Sequence, residues 1–163
     1  MMNINVKAGV VFLILVFIWG TALASGPFDP CGLLTKKEAE ALVGEPVKDP
    51  EQKDTKNPLG QKMCLYETVS SSRLIQISVI RTGDMSPKVR KHGQRASKVY
   101  RTTREMLDPV EQVPGVGDDA CWGTPGLHIL KGEIYVLVSV GNTSRRDNLE
   151  LARRIAQKVL PRL

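Results

Sequence analysis

The stretch "LHILKGEIYVLVSV", Leu127 to Val140, decides the fold. In its second half Ile134, Val136, Val138 and Val140 recur at every other position, the period of a strand with one face turned to a core. Tyr135 and Leu137, on the other face, are also large and apolar, which marks a central strand. Lys131-Gly132 supplies a turn, so "LHIL" and "EIYVLVSV" are expected to pair as a hairpin.

A second hairpin precedes it. In "RLIQISVI", Arg73 to Ile80, Ile75, Ile77 and Val79 alternate with Gln76 and Ser78. "MCLYETV" lies upstream across the turn Ser70-Ser71-Ser72. Between the hairpins, "DPVEQVPGVGDDACWGTPG" is rich in turn residues and leaves room for short strands at Val110–Val113 and Ala120–Gly123. "VKDPEQKDTKNPLGQK", Val47 to Lys62, is almost free of apolar residues and reads as a solvated loop.

Three helices complete the pattern. Thr35-Lys36-Lys37-Glu38 fits a capping box, Ala39, Leu42 and Val43 share a face, and Gly44 with Pro46 ends the helix. Ser86-Pro87 opens a second helix reaching to about Met106. It gathers Val89, Ala96, Val99, Tyr100, Thr103 and Leu107 on one side, with His92 on the inner flank and Gly93 expected at a close approach to the sheet. Its other arc carries Lys88, Arg90, Lys91, Arg95, Lys98, Arg101 and Arg104, with no acid in that span. A last helix, from about Ser144 to Leu160, aligns Leu151, Ala152, Ile155, Ala156, Val159 and Leu163. The expected architecture is α+β: a two-layer sandwich, with an antiparallel sheet of about four to six strands and helices on one face. "CLYE…LIQISVI" and "CWGT…YVLVSVG" echo each other, as a duplicated ββα unit would.

The start of the chain reads as an export signal. Lys7 precedes the apolar run "AGVVFLILVFIW", Ala8 to Trp19, and Ala22-Leu23-Ala24 has the small-x-small pattern of a cleavage site. The run falls short of the roughly 20 residues that span a bilayer. Cleavage after Ala24 is favoured, giving residues 1–24 as signal peptide and 25–163 as one extracytoplasmic domain, periplasmic or secreted, with no later span. The alternative is an uncleaved leader that anchors the domain. Cys31 is a poor lipidation site, because Phe28-Asp29-Pro30 precede it instead of a Leu-x-small box. The whole chain carries +6, which implies attraction to anionic surfaces and names no partner.

Three cysteines in an exported chain permit three pairings, each leaving one thiol. Cys31–Cys64 is favoured, tying the first helix to the first strand. No C-x-x-C or polarising neighbour marks a redox site. Cys121, between Ala120 and Trp122, then reads as a small buried side chain, the sharper alternative being a free reactive thiol or intermolecular bridge. A thiol-dependent enzyme would need Cys121 and His128 to converge, and nothing in the sequence brings them together. His92 and His128 fit no zinc spacing, and no cofactor is implied. "PGVGDDACWG" lacks the helix and Lys-Ser/Thr of a phosphate loop. Asn142-Thr143-Ser144 forms a glycosylation sequon at a helix start, where Asn and Ser also serve as caps.

The cationic helix is the one positive lead, a candidate for phosphates, anionic headgroups or an acidic partner, against the plainer reading of a solvated face. Its only aromatic, Tyr100, faces inward, so nucleic acid is not the expected partner. Taken together, "DPCGLLTKKEAEALVG", "CLYE", "VPGVGDDACW", "VLVSV" and "LARRIAQKVL" resemble small exported bacterial proteins of unknown function, among them lipoproteins and extracytoplasmic sensor-like domains. The resemblance implies a Cys31–Cys64 disulfide, a compact α+β fold and a non-enzymatic role. This chain departs from it in lacking a lipobox and in carrying Cys121. The expected function is a non-catalytic envelope module that binds a protein or ligand, with anionic-surface binding through Lys88–Arg104 as the alternative.

Overall fold

The computed structural model describes residues 28–163, and the expected leader falls outside them. Seven strands form one antiparallel sheet: β1 (Glu51–Asp54), β2 (Lys62–Glu67), β3 (Leu74–Arg81), β4 (Glu111–Gln112), β5 (Asp119–Gly123), β6 (Gly126–Lys131) and β7 (Ile134–Ser139). Their spatial order is β1-β2-β3-β7-β6-β5-β4. Four helices accompany the sheet: α1 (Lys36–Val43), α2 (Pro87–Lys91), α3 (Ala96–Met106) and α4 (Arg146–Val159). The α+β class and antiparallel sheet are those the sequence predicts, with one strand more than the upper expectation. The addition is β1, within the expected loop. All four of its residues are exposed, so it pairs with β2 through its backbone alone and leaves no apolar period to read.

β3 and β7 meet at the centre of the sheet, in a register that places Ile77 opposite Val138 and Val79 opposite Val136. These residues form one core with Ile75, Ala120, Trp122, Leu127, Ile129 and the inner face of α4, Leu149, Ala152, Ile155, Ala156 and Val159. Ile80 and Tyr135 face the other way and form a second cluster with Met85, Ala96, Tyr100 and Cys121. Helices therefore cover both faces: α1 and α4 on one, α3 on the other. This corrects the two-layer expectation. The cause is β7, whose Tyr135 and Leu137 need cover as much as Val136 and Val138 do. The ββα echo survives only as chain order, since Cys64 belongs to the first cluster and Cys121 to the second.

The expected second helix is two. Gly93 adopts φ 76° with open space where a Cβ would be, so it ends α2 instead of marking a close approach. α3 restarts at Ala96, whose N–H donates to the Thr82 hydroxyl at 2.9 Å. α1 begins with the predicted capping box between Thr35 and Glu38, and Gly44 closes it at φ 79°. α4 is capped differently from expectation. Its N-cap is Arg145, without a side-chain bond, while Asn142 accepts from the Ser144 N–H in the turn before it.

Two ties fix the N-terminal segment. Cys31 and Cys64 are disulfide-bonded with Cα atoms 5.1 Å apart, joining a 3-10 turn (Pro30–Leu33) to β2. Arg162, near the C-terminus, makes a forked contact with the Glu38 carboxylate, both bonds at 2.7 Å. That contact, with the Thr35 N–H second, holds the Glu38 carboxyl down at about 2.

Replacing Cys31 and Cys64 by Ser is expected to destabilise the domain by about 4 kcal/mol, the entropy of closing a loop whose ends are 33 residues apart; equilibrium denaturation measures it, and an unchanged midpoint would contradict the tie. Because Glu38 is depressed in the fold, its contribution is complete above the unfolded carboxyl range near pH 4.3 and drains away as pH falls toward 2. Arg162→Gln should flatten that part of the stability profile and leave stability near pH 7 lower than in the parent.

Candidate functional site

The α2–α3 segment presents the predicted cations, with one exception. Lys88, Arg90, Lys91, Arg95, Lys98 and Arg101 are exposed, and among the described residues none lies within ion-pair distance of a carboxylate. Arg104 leaves the set. It is half-buried and pairs with Asp119 at 2.6 Å, while its other nitrogen reaches the Gln112 amide oxygen. It serves to clamp α3 to β4 and β5.

The break at Gly93 decides how the six are arranged. Lys88, Arg90 and Lys91 project from α2, and Lys98 and Arg101 from α3. Arg95 stands at the junction, where its guanidinium donates to the carbonyls of Gln94 at 2.8 Å and Arg90 at 3.3 Å. The Arg90 carbonyl belongs to the last turn of α2, and that of Gln94 to the link between the two helices. Arg90, Lys91 and Arg95 line an open depression of about 410 Å³, with Thr82 and Pro87 as its remaining walls. No carboxylate lines it.

Thr82 is the residue that sequence reasoning missed. Its hydroxyl accepts from the Ala96 N–H and donates to Glu133 at 2.7 Å, and Ser97 also donates to Glu133, at 3.1 Å. The start of α3 is thereby fixed to the β6–β7 turn. Only the run from β3 straight into Ser86-Pro87 hinted at this proximity. His92, expected on the inner flank, is exposed at the end of α2, with Nδ1 2.7 Å from the Lys88 carbonyl.

Beneath α3 lies a buried polar cluster. Cys121 and His128 are direct cross-strand partners on β5 and β6, so the sheet brings together what the sequence did not. Both are buried, as are Tyr100 and Tyr135. His128 Nδ1 lies 2.7 Å from the Tyr135 hydroxyl, and Tyr100 packs edge-on against Tyr135, centroids 5.7 Å apart. Burial pushes the Cys121 thiol up and the His128 imidazole down, and it raises Tyr135 to about 12. A nucleophilic thiol needs the opposite, a lowered pKa and access to solvent. No hydrogen bond joins Cys121 to His128, and α3 seals both. A thiol–imidazole nucleophile is not built here.

One further concavity, of about 250 Å³, lies at the β4 edge between Pro109, Val110, Trp122 and Thr143. The Trp122 indole N–H is already spent on the Thr143 carbonyl, at 2.8 Å, and Glu111 at its rim pairs with Arg146. It offers no free charge. Among the described residues no group of three or more His, Cys, Asp or Glu is placed to hold a metal. Compared with protein-family models, curated proteins and solved structures, the chain matches none of them.

Cys121 is expected to resist an aromatic disulfide reagent in the native protein and to react at once in denaturant, with native labelling no faster than the opening of α3. Stoichiometric labelling within seconds at pH 8 would show that α3 does not seal the thiol.

Proposed function

We propose that this chain is an exported, non-catalytic binding module of the cell envelope, periplasmic or secreted, and that it engages an anionic partner through Lys88, Arg90, Lys91, Arg95, Lys98 and Arg101. The Cys31–Cys64 bond suits an oxidising compartment, in keeping with the apolar leader and its Ala22-Leu23-Ala24 site. Among the described residues no helix is long and apolar enough to cross a membrane.

The observation that carries the binding face is a contrast within the protein. α1 mixes Lys36 and Lys37 with Glu38 and Glu40, and α4 mixes its arginines with Asp147 and Glu150. An exposed helix face made only for solubility looks like these, with both signs interspersed. The α2–α3 segment carries one sign from Lys88 to Arg104. Like charges three or four positions apart repel by a few tenths of a kcal/mol per pair, about 0.2–0.5, a cost that an anionic partner removes. The non-catalytic part of the reading is supported by the high thiol pKa and closed setting of Cys121.

Heparin affinity chromatography tests the face. The parent is expected to elute at high salt, and reversal of Arg95, Lys98 and Arg101 to Glu should bring elution close to the void. Unchanged elution of the reversed protein, with its thermal melt intact, would sink the proposal. N-terminal sequencing of the exported form reads out cleavage after Ala24.

A further inference from the structure

We infer that the anionic partner is the phosphate surface of a membrane, met because the leader joins the domain at the same end as the cationic depression; this rests on the α2–α3 face being a binding surface at all. Phe28, the first described residue, is held firmly. The Arg81 guanidinium lies 4.6 Å from its ring centroid and the Lys62 ammonium 6.0 Å. Lys62 also donates to the Phe28 carbonyl at 3.0 Å, and the Cys31 disulfide follows three residues on. Arg81 ends β3. The next residue is Thr82, the wall of the depression that Arg90, Lys91 and Arg95 complete. The point where the leader enters and the depression therefore lie at the same end of β3, with Phe28 packed against the core on the α4 side of the sheet. Lys62 brings positive charge to the entry point, while the charge of Arg81 is balanced by Asp84.

Chain length makes this placement consequential. The apolar run ends at Trp19, and the residues from Gly20 to Pro27 carry no charge. Fully extended, that connection reaches about 30 Å at most. While the apolar run occupies a bilayer, the domain is tethered with its cationic end nearest the headgroups. The tether keeps the effective concentration of that surface high, on the order of millimolar. The six cations lie within the described residues and are the same with the leader cleaved or retained.

The form of the face also favours a lipid surface over a discrete ligand. Its cations are spread over two helix segments around an open depression, with no deep cavity and no exposed aromatic platform. A laterally extended array of phosphates matches such a distribution, and each cation near an anionic bilayer contributes about fivefold in affinity. Of the carboxylates at this end, Asp84 is paired with Arg81 at 3.1 Å. Glu133 accepts from the hydroxyls of Thr82 and Ser97 and keeps its charge, and Asp54 stands opposite Lys62 on β1, so the six exposed cations outnumber the unpaired acids.

The test uses protein exported from cells expressing the full chain, with vesicle sedimentation and heparin retention run in parallel. Vesicles of phosphatidylglycerol and phosphatidylcholine should bind the protein at low salt, and vesicles of phosphatidylcholine alone should not. Lys91→Glu with Arg95→Glu should weaken binding at least about 25-fold. Lys37→Glu with Lys158→Glu, an equal charge change on α1 and α4, should weaken it far less. If the reversed protein fails to fold, Lys91→Gln with Arg95→Gln carries the comparison. Heparin retention without vesicle binding overturns the lipid partner and leaves the cationic face standing, whereas loss of both overturns both. Equal weakening by the two double reversals reduces the effect to net charge and also overturns the inference.

Discussion

The pairing of β3 with β7 is the constraint on which the other elements depend. Six residue pairs run from Gln76↔Ser139 to Arg81↔Ile134, and their pleat sorts every side chain to one of two cores. Ile77, Val79, Val136 and Val138 go to the face that α4 covers, Ile80 and Tyr135 to the face that α3 covers. A slip of one residue would exchange the two sets and expose valines to the α3 side, so burial on both faces fixes the register tightly. The outer strands need no such protection. β1 is Glu-Gln-Lys-Asp and β4 only Glu-Gln, short and polar edges that discourage pairing with another chain.

Coverage of the second face determines what α3 can be. Ala96, Val99 and Tyr100 must reach Tyr135 and Leu137, which leaves Lys98 and Arg101 outward with no freedom to turn in. The same packing buries Cys121 and His128 side by side. In that setting the neutral imidazole and the protonated thiol are favoured, because burial penalises the charged form of each. The packing of α3 thus closes off the thiol and turns Lys98 and Arg101 outward together.

Legibility in the sequence followed the strength of periodic signals. Strands β2, β3, β6 and β7 could be read because each has a buried face, and α1 because its cap, apolar positions and Gly44 agree. β1 could not be read, since a strand exposed along its whole length has no pattern apart from its pairing. Gly93 was visible, but a glycine within a helical pattern is compatible with a tight approach or a break, and only its φ of 76° separates them. The two-sided cover was implied by Tyr135 and Leu137, whereas the number of helices on each face depends on crossovers that no local pattern encodes. Of the candidate site, the six exposed cations were legible from period alone. Arg104 was not separable from them, because its partners Asp119 and Gln112 come from another part of the chain.

Those six cations do not contribute to the fold in the way the other charges do. Glu38 and Arg162 join the two ends of the described chain, Arg104 clamps α3, and Lys62 and Arg81 hold Phe28. Lys88, Arg90, Lys91, Lys98 and Arg101 contact no acid, and Arg95 spends its donors on nearby carbonyls. At physiological salt the screening length is about 8 Å, longer than the spacing of neighbouring helical side chains, so their mutual repulsion is only partly relieved by solvent ions. A glutamate at an exposed position such as Thr102 would relieve it without disturbing either core. The stability given up there is offset elsewhere, by the disulfide and the doubly covered sheet. The charge on this surface is therefore a local cost to the fold, carried by exposed side chains that make no ion pair among the described residues.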